Sequence, residues 1–264
     1  MLSATPGDVW INYLPVFLAH GFFKNKSEFV SNHVVYNPYV SYPMIQRYVN
    51  TDHLMKLRKH VEVIMEDKRH TNRIRKFVDV LYDEEQYILS AKERWDIYND
   101  EPVKNSSQYR NVLRRIVNES QDRIWQAMWI ISAHDRIIVF YNYNYELDIL
   151  KDICNTLNKK YYERNGHKHD ALRETDDEWV YLIQYSSGAE GWNCITTNVI
   201  LFYSLNYAWR VHEQCEGRID RVNTKYTDLE YFYLVSNSQI DRDIQKALIN
   251  KKEFNYSSYK IEGE

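Results

Sequence analysis

Hydrophobic and polar positions change rhythm along this chain near residue 130. From 46 to 125 charged residues dominate, and apolar ones recur at helical spacing: Leu54, Leu57, Val61 and Ile64, then Tyr87, Leu89, Trp95 and Tyr98. Steps of three and four place such positions on one helix face. After 130, short apolar runs alternate with amphipathic stretches. Arg136–Tyr141, Glu178–Gln184, Asn198–Tyr203 and Leu229–Val235 read as buried strands, and Glu146–Lys159, Trp209–Val222 and Ser238–Asn250 as helices. Strands alternating with helices predict a parallel sheet with right-handed crossovers. Ligands of such sheets sit at the carboxyl ends of the strands. The loops after 141, 184, 203 and 222 are therefore where chemistry is expected.

Composition changes this picture only in places. A hydrophobic share of 44% and a charged share of 27% over 264 residues describe a globular chain able to bury one large core or two small ones. All five prolines lie before residue 130. A net charge of −3 carries no global nucleic-acid signature, so such binding needs a local basic face. One candidate is the stretch 47–76. Its Arg47, Lys56, Arg58, Lys59, Lys68, Arg69, Arg73, Arg75 and Lys76 outnumber Asp52, Glu62, Glu66 and Asp67. A phosphate-facing surface and an ordinary solvated helix face both fit it. Cys154, Cys194 and Cys215 form no metal spacing and read as reduced thiols. No signal peptide and no long apolar run is visible, which predicts a cytoplasmic protein without a membrane span.

The seven glycines narrow the chemistry further. None is followed by Lys, and no G-x-G-x-x-G occurs. The chain therefore contains neither a phosphate-binding P-loop nor the dinucleotide fingerprint.

The strongest positive signal is Gln214-Cys-Glu-Gly217-Arg218-Ile-Asp-Arg221. On a helix, positions 214, 217, 218 and 221 share a face. A Gln amide and two guanidiniums there, with Gly217 permitting close approach, suit a polyanion. Pairing of the arginines with Glu216 and Asp220 on a solvated helix is the bland alternative. Upstream, Ser186-Ser-Gly-Ala-Glu-Gly-Trp-Asn193 directly follows a strand and offers hydroxyls and backbone N–H groups to an anion. It also reads as a plain strand-to-helix turn. Leu2-Ser-Ala-Thr-Pro-Gly-Asp8, taken alone, is a capping turn.

In this order the segments resemble superfamily 2 nucleic-acid helicases and translocases. Ser3-Ala4-Thr5 is similar to motif III of that superfamily, Ile138–Asn142 to motif IV, Ser187–Asn193 to motif V and Gln214–Arg221 to motif VI. Val16-Phe-Leu-Ala-His-Gly-Phe-Phe23 with Glu28-Phe-Val30 resembles the Swi/Snf-like branch, including its phage-encoded members. So does Val80–Gln86 followed by Tyr87. Phe77–Glu84 mimics an apolar strand ending in the Asp-Glu of a magnesium site. In the family that motif precedes motif III, so Asp83 is rejected as a metal ligand.

The resemblance implies an α/β fold: a C-terminal RecA-like lobe, a parallel sheet flanked by helices, preceded by a mainly helical segment. Residues 1–125 would hold the end of a first lobe and a connecting region, and 126–264 the second lobe. The chain would be the C-terminal part of a longer DNA helicase or translocase. ATP and Mg2+ would be used by the complete enzyme, with no metal ligands here. Implied roles are catalysis for Arg218, Arg221 and Gln214, and ATP contact for Glu190, Gly191 and Asn193. DNA phosphates would fall to Asn142, Ser186, Ser187, Lys56, Arg58 and Lys59, and coupling to Ser3 and Thr5. The partners implied are DNA and an N-terminal RecA-like lobe, in the cytoplasm of a bacterial host if phage-encoded. Trp192 departs from the family pattern, which usually has Leu there. By this reading the chain alone lacks ATPase activity. A stand-alone interaction or regulatory module derived from a helicase, and an RNA helicase fragment, are the alternatives.

Overall fold

The computed structural model describes residues 7–62, 70–188 and 192–256. Two compact units form, one within Met1–Lys68 together with the chain from Ile249 onward, the other within Arg69–Leu248.

In the first unit a 3-10 turn, Trp10–Tyr13, leads into α1 (Leu14–Ala19), α2 (Lys26–His33), a hairpin of β1 (Val34–Tyr36) and β2 (Ile45–Tyr48), and α3 (Thr51–Val61). Its core is aromatic: Trp10, Tyr13, Phe17, Phe23 and Phe29 pack with Leu14, Val34 and Leu54. One charge is taken inside. Arg58 is 1% exposed, donates from Nε to Glu62 Oε1 at 2.8 Å and lies over the Tyr13 ring. Tyr13 donates its hydroxyl to the same Glu62 oxygen at 2.6 Å. The hydrocarbon stem and planar head of Arg allow such burial when the charge is matched.

The second unit begins with β3 (Asn72–Asp79), α4 (Glu84–Glu93), the short strands β4 (Trp95–Asp96) and β5 (Glu101–Pro102), α5 (Ser106–Asn118) and α6 (Gln121–Ser132). There follow β6 (Arg136–Tyr141), α7 (Asn144–Thr156), β7 (Tyr161–Arg164), β8 (Trp179–Gln184), α8 (Tyr185–Gly188), β9 (Val199–Phe202), α9 (Trp209–Glu216), β10 (Asp228–Val235) and α10 (Gln239–Tyr256). Six strands make one sheet in the order β3-β10-β9-β6-β8-β7. Every pairing in it is parallel. The expected α/β architecture, a parallel sheet flanked by helices behind a mainly helical segment, is the observed one.

The apolar runs are continuous because both faces of the sheet are covered. Along β6, Ile137, Val139 and Tyr141 face a core shared with Ala127, Ile130 and Ile131 of α6 and Leu147, Leu150 and Ile153 of α7. Ile138 and Phe140 face the opposite core, with Cys215 of α9, Ile219 and Ile244 of α10. Side chains of a strand alternate between faces, so one run of apolar residues serves two layers. Two strands come from outside the four expected: β7, and β3 from the mainly helical stretch. Both are sheet edges with charged residues, which is why their sequences carry little strand signal.

Asp83 lies just after β3 and caps α4, accepting from the Gln86 backbone N–H at 2.8 Å. Among the described residues no group of three His, Cys, Asp or Glu is placed to hold a metal ion, and no helix is long and apolar enough to cross a membrane.

Candidate functional site

Of the residues singled out by sequence, Asn142, Ser186 and Ser187 lie at the carboxyl ends of the strands, whereas Arg218 and Arg221 flank Asp220, which meets Thr71 and Arg73 at the amino end of β3. Asn142, just past β6, ties three strand ends together. Its Nδ2 donates to Ser204 Oγ at 2.8 Å and the Leu205 carbonyl at 3.2 Å. Its Oδ1 accepts from Asn206 Nδ2 at 2.9 Å and its carbonyl from Gln184 Nε2 at 3.1 Å. Ser186, on α8, is exposed, and Ser187 is half-buried with its carbonyl accepting from Arg164 Nε at 3.2 Å. Asn193 is exposed. Glu190 and Gly191, like Ser3 and Thr5, lie outside the described residues.

Beneath Asn142 sits a fully buried acid. Glu146, on α7, accepts from the Asn142 N–H at 2.7 Å, from Asn118 Nδ2 at 2.8 Å and from Ser204 Oγ at 3.0 Å. Burial pushes its pKa above the ordinary value, against the Asn142 hydrogen bond and the nearby Arg114 charge, which lower it. Arg114, on α5, donates from Nη2 to the Leu205 carbonyl at 2.6 Å and stacks against Tyr143. These contacts fix the loop between β9 and α9.

The helix expected over Trp209–Val222 ends at Glu216. Gly217 still bonds to the Glu213 carbonyl, but the Arg218 N–H turns to Cys215, three residues back, at 3.0 Å. Gln214 thus stands on α9, while Arg218 and Arg221 stand on the turns beyond it, not on one continuous helix face. The turn is held from two sides. The Arg218 carbonyl accepts from the Cys194 N–H at 3.0 Å, and Arg218 Nη1 donates to the Trp192 carbonyl at 2.7 Å. The segment at 192–194 and the arginine turn are therefore adjacent. Trp192 is half-buried, its ring edge-on to Tyr181. Gly217 has ordinary right-handed helical φ and ψ, and a Cβ there would come no nearer than 3.4 Å to the Gln214 and Glu213 carbonyls.

The other anchor was not legible as a site. Arg73 and Arg75 alternate along β3, so both face α9. Arg73 reaches Glu213 at 2.5 Å, Glu216 at 2.9 Å and Asp220 at 2.6 Å; Arg75 reaches Glu216 at 2.5 Å. Tyr233 donates its hydroxyl to Glu216 as well. Burial alone would raise the Glu216 pKa, but the Arg75 hydrogen bonds and charge, Tyr233 and Arg73 hold it below the ordinary carboxylate value. Both arginines are held above their usual value. For Arg73 burial opposes the shift and the Glu213 and Glu216 charges override it; for Arg75 the Glu216 hydrogen bond leads. The signal in sequence was the Arg-x-Arg alternation, which a count of basic residues hides. His212, packed among Tyr185, Phe202 and Tyr233, is kept neutral, its pKa pushed down to about 4 by burial.

The basic stretch is thereby divided. Arg58, Arg73, Arg75 and Lys76 pair with carboxylates. Arg47, Lys56 and Lys59 are exposed in the first unit, while Lys68 and Arg69 lie outside the described residues. Arg58 does not share the open face of Lys56 and Lys59: it is the buried counter-charge of Glu62.

No protein-family model matches the chain. Over 125 residues, 44% of its length, it is 28% identical to ATP-dependent helicase fft2 of Schizosaccharomyces pombe, covering 10% of that protein. Over 161 residues, 58% of its length, it is 24% identical to ATP-dependent helicase fft3 of the same organism, covering 16% of that protein. Among solved structures, the C-terminal part of the Fun30 ATPase domain superposes with a TM-score of 0.45 at 16% identity, covering 63% of this chain and 54% of that one. The chain is thus similar in sequence to ATP-dependent helicases, and the matched stretches span between 10% and 16% of those relatives' lengths.

Proposed function

We propose that this chain is the C-terminal, RecA-like lobe of an ATP-dependent DNA helicase or translocase of superfamily 2, in the Swi/Snf-like branch. Residues 126–264 form that lobe, β3 of the connecting region completes its sheet, and a first lobe in the same or another polypeptide holds most of the nucleotide. One observation supports the reading above the others: the arginine turn is bound through Arg218 to the backbone at 192–194, so the segments that resemble motifs V and VI are neighbours in the fold. The similarity to ATP-dependent helicases supports the same class of chemistry.

In this reading ATP and its Mg2+, held between the lobes, supply the transferable phosphoryl group. Arg221 and Arg218 present permanent positive charge to the oxygens on which charge develops, and Arg218 is already oriented by its bond to the Trp192 carbonyl. Gln214 positions the arginine turn, and Glu190, Gly191 and Asn193 line the nucleotide side of the preceding loop. Ser186 and Ser187 face DNA phosphates, contacts that hold a strand without reading its sequence. Asn142 shapes that edge through its bonds to Ser204, Leu205 and Asn206. The Swi/Snf-like text at 13–30 and 80–87 favours DNA over RNA.

The test is ATP turnover with and without DNA. The purified 264-residue chain is expected to show none, because it has the arginines but no phosphate loop. Turnover is expected in an assembly that includes a first lobe, and to be lost there with Arg221→Ala. DNA-stimulated turnover by the chain alone would overturn the proposal.

A further inference from the structure

The hairpin of the first unit carries a feature that neither the sheet nor the arginine turn explains. The eight residues joining β1 to β2, Asn37-Pro-Tyr-Val-Ser-Tyr-Pro-Met44, hold large side chains out in solvent. Tyr39 is 90% exposed, Tyr42 60%, Met44 42% and Tyr36, at the end of β1, 38%. The tip is nevertheless held in shape. The Asn37 N–H donates to the Met44 carbonyl at 2.8 Å, the Met44 N–H to the Tyr42 carbonyl at 2.7 Å, and the Tyr39 N–H to Asn37 Oδ1 at 2.9 Å. Pro38 and Pro43 restrict it further. Side chains carried outward on an already ordered backbone cost less ordering when they meet a partner, so they suit binding.

Charge selects the partner. From Phe29 to Thr51 the chain has no Asp or Glu, and its one permanent charge is Arg47, exposed on β2 opposite Val35. No carboxylate of the hairpin itself therefore repels a phosphate backbone. Lys56 and Lys59, exposed on α3 of the same unit, add positive charge. Exposed aromatic faces are what unpaired nucleobases stack on, and they do so without regard to sequence. In a duplex those base faces are already stacked on one another. We propose that the Tyr36–Met44 tip binds single-stranded nucleic acid by stacking Tyr39 and Tyr42 on exposed bases. This rests on the proposed helicase function, since it takes the nucleic acid of that reading as its ligand.

The test uses the full 264-residue chain and fluorescence anisotropy with a labelled oligothymidine and a blunt duplex of equal length. Tyr39→Ala with Tyr42→Ala is expected to weaken oligothymidine binding by about tenfold or more, the loss of one to two stacked bases. Its salt dependence should stay as in the wild type, because no phosphate contact is removed. Tyr39→Phe with Tyr42→Phe keeps the rings and should bind as the wild type does, which separates stacking from any loss of fold. Duplex binding should change less than twofold. Oligothymidine binding that survives both alanines, or an equal loss on the duplex, would overturn this inference alone. A wild-type chain that binds neither nucleic acid would overturn it together with the proposed function.

Discussion

Arg73→Ala tests the anchor that sets the arginine turn against the sheet. In the structure this one guanidinium meets Glu213, Glu216 and Asp220, and the side chains of the last two are only 4% and 2% exposed. Removing it strands charge in a low-dielectric site. Breaking a buried ion pair from one side costs about 3–5 kcal/mol. Here Glu216 keeps Arg75 and Tyr233, and Asp220 keeps the Thr71 hydroxyl at 2.6 Å. The lower end, about 3 kcal/mol, is therefore expected. The loss should depend on pH. Glu216 titrates below its ordinary value in the fold, so its contribution is present above pH 4.5 and is lost as pH falls through the folded pKa. Arg73→Ala should thus cost most at neutral pH and progressively less in acid. Arg73→Lys, which keeps the charge and loses the planar fork, should fall between. Urea unfolding followed by tryptophan fluorescence reads this well, because of the seven tryptophans only Trp10 lies outside the unit Arg69–Leu248. A variant within about 1 kcal/mol of wild type at pH 7 would refute the argument, since exposed pairs are worth no more than that. So would a loss that does not shrink with acid.

Further outcomes follow from the same geometry. His212 stays neutral in the fold with a pKa near 4 against 6.5 unfolded. It therefore contributes stability that is complete above pH 6.5 and falls away as pH drops towards 4, by about 3 kcal/mol in all; His212→Gln should flatten the urea midpoint across that range. Gly217→Ala should leave the urea midpoint unchanged or raise it slightly, because the backbone there is helical and a Cβ fits. If Gly217 serves ligand approach, the same variant should lower ATP turnover in an assembly with a first lobe. In that assembly Arg221→Ala should reduce the turnover number by about a thousandfold or more, the scale of a lost arginine finger. Lys56→Glu with Lys59→Glu should weaken DNA binding and flatten its salt dependence by about one unit of slope per lost phosphate contact. Arg58 is left out of that variant because it is buried and its loss would take from Glu62 its counter-charge.

Much of the sheet was readable in advance because its central strands are covered on both faces. Arg136–Tyr141 and Leu229–Val235 are apolar almost throughout, and nothing but a buried strand accommodates such short runs between helices. The edge strands β3 and β7 were not readable. Each has only one strand neighbour, and their charged residues look like loop or helix surface until the partner carboxylates are known. The helix end at Glu216 was hidden for a related reason. Gln214–Arg221 keeps helical spacing to its last residue, and only the fold shows that beyond Glu216 the Arg218 carbonyl accepts from the Cys194 N–H, a contact from a distant segment.

By itself, then, the amino-acid sequence determined the parallel α/β class, the absence of a phosphate loop within these 264 residues, and the resemblance around Gln214–Arg221. Those are properties of local pattern and of residue chemistry. Which cations remain available was decided only by tertiary structure. Arg58, Arg73 and Arg75 are indistinguishable from Lys56 and Lys59 in a count of charges, yet the fold brings Glu62, Glu213, Glu216 and Asp220 to them and leaves the lysines in water. The free energy of a charge depends on its neighbours in space, and long-range packing alone supplies those neighbours.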